Sequence, residues 1–135
     1  MGQDGKITSI YDKSRLVPFG EYQPWIIPFN VLPGVLTPGP GLKTWDLPDI
    51  GRVGPMVCYE IIFSGSVVAR DDRPDWLVTI SNDAWFGNSA GPRQHLATGR
   101  LRAVEEGLPV VFANNTGISA IYDAVGRETV RLGWG

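Results

Sequence analysis

Two periods run through the apolar positions of this chain. Short runs of β-formers bounded by turn residues predict strands at 6–11, 42–47 and 52–57, the last two joined by the turn Pro48-Asp49-Ile50-Gly51. Further compact apolar runs predict buried strands at 76–80 and 109–113, and a hairpin of 118–122 with 128–132 around Asp123-Ala124-Val125-Gly126-Arg127. Helical spacing is read in two places. Residues 64–70 are expected to form a helix with Ser64 as its cap, ended by Asp71-Asp72-Arg73-Pro74. Over 91–106, Leu96, Ala97, Leu101 and Val104 recur at helical spacing among charged residues, which predicts an amphipathic helix stopped by Gly107. Strands alternating with helices, with hairpins at both ends, make an α/β layer structure with a single domain's worth of core.

One stretch breaks the pattern. Residues 24–36 carry Trp25, Ile26, Ile27, Phe29 and Leu32 with three prolines, too short to span a bilayer and unable to form a regular helix. It reads either as a loop buried under other structure or as an exposed apolar loop that meets a membrane or an acyl chain.

Composition narrows the function classes. With 43% hydrophobic and 19% charged residues the chain is globular, and a net charge of −2 gives no electrostatic footprint for nucleic acid. The start, Met1-Gly2-Gln3-Asp4-Gly5-Lys6, has no apolar signal-peptide core and is expected to mark a fragment boundary. One Cys and one His with scattered Asp residues show no metal-ligand spacing, and no G-x-G-x-x-G or Walker pattern occurs.

The remaining chemistry centres on Gly51-Arg52-Val53-Gly54-Pro55-Met56-Val57-Cys58-Tyr59-Glu60. A strand that ends at a cysteine and feeds a helix presents the thiol beside backbone N–H groups, which favour a thiolate and can stabilise an oxyanion. The alternative is a small buried hydrophobe. A thiolate needs a cation or base nearby, and Lys13, Arg15 and His95 are available, although His95 sits inside the predicted helix, where a structural role is the commoner one.

Four segments occur in an order that resembles the nitrilase (carbon–nitrogen hydrolase) superfamily: Tyr11-Asp12-Lys13-Ser14-Arg15-Leu16-Val17-Pro18-Phe19-Gly20-Glu21, Cys58-Tyr59-Glu60, Asn82-Asp83-Ala84-Trp85-Phe86-Gly87 and Arg102-Ala103-Val104-Glu105. The spelling of Pro-Phe-Gly-Glu and Asn-Asp-Ala-Trp-Phe-Gly resembles the branch that acylates bacterial lipoproteins more than a generic amidase. The resemblance implies half of an α-β-β-α sandwich, with helices packed on one face. It also implies a Glu–Lys–Cys triad in which Cys58 attacks an acyl carbonyl and Lys13 stabilises the oxyanion. Glu21 corresponds to the second active-site glutamate, which supports the lysine. Tyr59 and Glu60 flank the nucleophile, with the Tyr59 N–H as an oxyanion donor, and Trp85 lines the pocket. No cofactor is expected. In isolation each of these residues also has a plain reading, as surface lysine or carboxylate, packed ring or loop aromatic.

The implied substrates are a phospholipid acyl donor and a diacylglyceryl-lipoprotein acceptor, used at the bacterial inner membrane by a periplasmic catalytic domain. Two alternatives stay open, a soluble amidase acting on a small carboxamide and a binding module that has lost its chemistry. The family's general-base glutamate lies in an earlier part of the domain, and Asp4 and Asp12 are poor substitutes for it. Residues 1–135 are therefore expected to be the C-terminal portion of the domain, with the N-terminal half and the membrane region absent. Such a fragment should be inactive alone and, with a sheet edge or face uncovered, prone to self-association or dependent on the missing half.

Overall fold

The computed structural model describes residues 4–18, 21–22 and 36–133. The chain divides into two compact units, Met1–Gly41 and Leu42–Gly135. The apolar stretch 24–36 lies outside the described residues except for Leu36, which is exposed. Among the described residues no helix is long and apolar enough to cross a membrane.

The first unit is built from turns. Residues 6–11 do not form the expected strand, and Ile7 and Ile10 are exposed. The one β bridge described in this unit joins Pro18 to Tyr22, so the run of β-formers has no partner to pair with, and propensity alone does not hold a strand. Backbone bonds close the unit instead: the Gly39 N–H donates to the Lys13 carbonyl, Leu36 to Glu21 and Glu21 to Val17, at 2.8, 2.9 and 2.9 Å.

The second unit is one six-stranded sheet in sequence order, β1 (Trp45–Leu47), β2 (Gly51–Val57), β3 (Trp76–Ser81), β4 (Val110–Asn114), β5 (Ser119–Tyr122) and β6 (Glu128–Leu132). The central pairs β2·β3 and β3·β4 are parallel, while β1·β2, β4·β5 and β5·β6 are antiparallel. This is the α/β arrangement with hairpins at both ends that the apolar pattern predicts. The β5–β6 turn is closed by Asp123, whose carboxylate accepts from the amides of Val125 and Arg127 at 3.0 and 2.8 Å. The Arg127 amide is the main cause of an acidity above the ordinary for that carboxyl.

Side chains alternate across the sheet as the pleat requires. On β3, Leu77, Thr79 and Ser81 are buried while Trp76 and Val78 are half-buried and Ile80 is exposed. The buried face carries Met56, Leu77, Val110, Phe112 and Tyr122, and it is covered by α1 (Gly91–Glu106) and the connection after β2. A single layer of helix on one side of the sheet is the half-sandwich expected from the motifs, with the opposite apolar face left half-exposed.

The helix has the predicted bounds, and Gly107 ends it in the left-handed conformation at φ 63. Its inward face is different from the expected one. Pro92, His95, Leu96, Gly99, Arg102 and Ala103 are buried, whereas Ala97, Leu101 and Val104 are exposed. The reason is close approach: a Cβ on Gly99 would stand 2.8 Å from Phe112 and 3.6 Å from Ile61, so the smallest residue, not the largest, faces the sheet.

The helix expected at 64–70 is also absent. In its place two 3-10 helices, Cys58–Ile62 and Arg70–Asp72, flank an irregular segment. Glu105 of α1 accepts from the Ser64 hydroxyl at 2.6 Å and the Gly65 amide at 2.5 Å, Gly65 is left-handed, and Val67 and Val68 are buried. These tertiary anchors outweigh a weak local helix preference.

Strand β2 ends in an elbow. Val57 is extended at φ −123, and Cys58 turns to φ 49, one of two non-glycine residues with positive φ among the described residues. Left-handed backbone costs a residue with a Cβ roughly 1–2 kcal/mol.

Two stability predictions follow the two tight points. Gly99→Val should destabilise the protein by about 1–3 kcal/mol in denaturant titrations, because Phe112 and Ile61 leave no room for added carbons. At Cys58, Gly should be at least as stable as Ala, by up to about 1 kcal/mol, the reverse of the usual order. Paired melts of Cys58→Gly and Cys58→Ala read this directly, and a clear advantage for Ala would show that the elbow carries no strain.

Candidate active site

The carboxyl ends of the parallel strands are where an α/β sheet offers a crevice, because consecutive connections diverge there. β2 delivers Cys58, β3 delivers Ser81 and Asp83, and β4 ends at Asn114, with Ser81 and Asn114 in register. The single cysteine is half-buried.

Cys58 opens the 3-10 helix Cys58–Ile62. In an i→i+3 helix starting there, the amides of Cys58 and Tyr59 have no intrahelical acceptor. They are the donors a developing oxyanion next to the sulfur would meet. Glu60, almost fully buried, turns back so that its Oε2 accepts from the Val57 amide at 2.8 Å, which ties the last strand residue to the first helical turn. The Tyr59 ring sits edge-on against Phe63 at 5.0 Å. The expected flanking pair therefore has two different tasks: Glu60 holds the elbow and Tyr59 packs beside it.

Beneath the elbow lies a polar cluster that the sequence did not reveal. Asp83 accepts from the Ser81 hydroxyl at 2.8 Å and from Asn114 Nδ2 at 3.1 Å, and its Oδ1 lies 2.8 Å from His95 Nδ1. His95 Nε2 lies 3.1 Å from the carbonyl oxygen of Cys58. Both Asp83 and His95 are buried, at 2% and 6% exposure. A carbonyl only accepts, so in the bond to Cys58 it is Nε2 that donates. Asn114 Nδ2 also donates to the Ile118 carbonyl at 2.8 Å. The signals in the sequence were that His95 is the only histidine and that Asp83 belongs to a loop dense in polar side chains. Their spacing of twelve residues, across a loop and a turn of helix, gave no geometric link.

Trp85, expected to line the pocket, stands 79% exposed on the 3-10 helix Asp83–Phe86. Its neighbour Phe86, 43% exposed, nevertheless lies against the cluster: its ring is 5.9 Å from that of His95, and Gly91 has no room for a Cβ against it. Phe86 rather than Trp85 is the aromatic that meets the buried cluster.

In the first unit the structure brings Lys13 and Glu21 together. Lys13 Nζ donates to both Glu21 carboxylate oxygens at 2.8 Å, and Glu21 Oε2 also accepts from the Val17 amide at 2.8 Å. The lysine side chain is 11% exposed, so its ammonium is a largely desolvated charge held in place by a bidentate partner. Glu21 therefore fixes the position of the Lys13 ammonium. Among the described residues, no three His, Cys, Asp or Glu side chains gather as a metal site requires.

Comparison with known proteins agrees with this reading of the motifs. Proteins named apolipoprotein N-acyltransferase from Rhodopseudomonas palustris and Bradyrhizobium diazoefficiens are 42% and 44% identical to this chain over 98% of its length. The chain spans about a quarter of theirs, 26% in each case. A cysteine-to-serine mutant of the Nesterenkonia AN1 amidase from the nitrilase superfamily has the same fold, with a TM-score of 0.64 at 20% identity over 92% of this chain and 46% of the amidase. The carbon–nitrogen hydrolase family model matches residues 1–135, and the chain belongs to that family.

Proposed function

We propose that this chain is the C-terminal portion of the catalytic domain of a lipoprotein N-acyltransferase, contributing the nucleophile and the oxyanion-stabilising lysine. The observation that carries the reading is the 42–44% identity, over 98% of the chain, to proteins of that name, against 20% to the amidase of like fold. The strained elbow at Cys58 and the desolvated Lys13 supply the chemistry it needs.

In the first half-reaction the Cys58 thiolate attacks the ester carbonyl carbon of a phospholipid. A tetrahedral oxyanion forms, stabilised by Lys13 and the Tyr59 amide. The C–O bond then breaks, and the lysophospholipid oxygen leaves with the proton taken from the thiol. In the second, the α-amine of a diacylglyceryl-cysteine attacks the thioester. The C–S bond breaks, an amide forms, and the amine proton returns the sulfur to its resting state. Both substrates are lipids, which places the reaction at a membrane surface, in this reading the periplasmic face of the bacterial inner membrane.

A base must take the thiol proton. Glu21 is engaged by the Lys13 ammonium and the Val17 amide, and Glu60 by the Val57 amide, so both carboxylates are committed to holding other groups. The third triad member is therefore assigned to a glutamate in the part of the domain outside this chain, consistent with the chain's 26% share of its relatives' length.

The test is mass spectrometry of the intact enzyme incubated with phospholipid. An acyl adduct should form on Cys58 and be absent from Cys58→Ala. Lys13→Ala should slow its formation by roughly 10²–10³-fold, the loss expected for an oxyanion donor. An adduct that survives Cys58→Ala, or ammonia release from a small carboxamide with no acyl adduct from phospholipid, would overturn the assignment in favour of another nucleophile or of an amidase.

A further inference from the structure

The buried cluster under the elbow has no part in the chemistry above, and its geometry excludes the obvious one. Both nitrogens of His95 are occupied, Nδ1 by Asp83 and Nε2 by the Cys58 carbonyl, so neither serves as a base for the thiol. What His95 does hold is a peptide group. The Cys58 carbonyl and the Tyr59 amide belong to the same planar unit and point in opposite directions. Fixing the carbonyl toward the buried ring fixes the amide in the opposite direction within the same plane.

We propose that His95 is a positioning residue for the oxyanion site: through Nε2–H to the Cys58 carbonyl it sets the Cys58–Tyr59 peptide, and so aims and polarises the Tyr59 amide. The inference rests on the proposed roles of Cys58 and the Tyr59 N–H in acyl transfer. Three observations on the structure carry it.

The first is strain. Cys58 is held at φ 49, a conformation a residue with a Cβ leaves unless something retains it, and the 3.1 Å bond from His95 is made to the carbonyl of that same residue. The second is rigidity. The ring packs edge-on against Phe112 at 5.1 Å and tilted against Phe86 at 5.9 Å, while Asp83 is itself fixed by Ser81 and Asn114, so the donor cannot swing away. The third is polarisation. A carbonyl that accepts a strong hydrogen bond makes the N–H of its own amide a better donor, and a carboxylate on the far side of the imidazole strengthens that first bond. The chain Asp83, His95, Cys58 carbonyl, Tyr59 amide thus runs from a buried charge to the place where oxyanion charge develops.

The experiment compares two reactions of Cys58 in the intact enzyme. Acylation by a short-chain 4-nitrophenyl ester passes through a tetrahedral oxyanion, whereas alkylation by iodoacetamide is a direct displacement at carbon and makes none. His95→Phe keeps a ring between Phe86 and Phe112 but removes the donor. It is expected to slow acylation by roughly 10²-fold while leaving alkylation within about threefold. His95→Gln, whose amide nitrogen takes the place of Nε2, should recover most of the acylation rate.

A proportional fall in both reactions, or an unchanged acylation rate in the folded Phe variant, would overturn the proposal, as would a Gln variant no faster than Phe. Should the Phe variant not fold, His95→Asn replaces it. Its shorter amide reaches the position of Nδ1 and not the carbonyl, and it should acylate at least ~10-fold more slowly than the Gln variant at matched alkylation. Equal acylation by Asn and Gln would overturn the role. If the unaltered enzyme takes iodoacetamide at Cys58 but no acyl group, acyl transfer itself fails and the role of His95 falls with it, a result that no His95 variant can produce.

Discussion

One peptide group, between Cys58 and Tyr59, is where the constraints on this fold meet. Strand β2 brings it to the edge of the parallel core, Glu60 fastens the strand end before it, and a buried histidine grips its carbonyl from below. The backbone there departs from the conformation a cysteine prefers. The departure persists because two hydrogen-bonded anchors hold it, Glu60 on the Val57 amide before it and His95 on the Cys58 carbonyl. The surrounding architecture, a close helix resting on Gly99 and a sheet whose inner face is sealed by Met56, Leu77 and Phe112, gives those anchors a rigid seat.

Charge is distributed in this protein by what each carboxylate is already holding. Glu21 neutralises a desolvated ammonium, Glu60 a strand-end amide, Asp83 a histidine with two further donors, and Glu105 a hydroxyl and an amide from a distant loop. Each of these four acids is thereby a structural acceptor. A reaction that needs an acid free to take and return a proton has to look beyond these four.

Much of this was legible in the sequence. The sheet could be read because its strands are compact apolar runs between turn residues, and α1 because Gly107 and the charged flank give it definite ends. The Lys13–Glu21 pair and the Cys58 elbow could be read because short motifs carried them. The failures share a cause. Residues 6–11 and 64–70 have the local preference for a strand and a helix, but the first has no described strand to pair with and the second is claimed by Glu105 and the buried Val67 and Val68. The inward face of α1 differs from the apolar pattern because apolar size is not what decides burial there. Here the helix lies so close to Phe112 that glycine, alanine and a hydrogen-bonded histidine fit, while Leu101 and Val104 remain outside. The link from Asp83 through His95 to the Cys58 carbonyl is not legible, because nothing in a linear chain says which backbone carbonyl a buried ring will face.

The clamp between Glu105 and the Ser64–Gly65 turn has a consequence for how this sequence can vary in length. His95 and Glu105 ride on the same helix, yet one grips the carbonyl of Cys58 and the other the loop that follows it. Adding or removing a residue between them would turn one relative to the other by about 100° and displace it by about 1.5 Å along the axis. Only one of the two grips could then survive. An insertion or deletion within residues 95–105 therefore breaks one grip or the other, and the helix acts as a ruler that keeps both ends of the 58–65 segment in step.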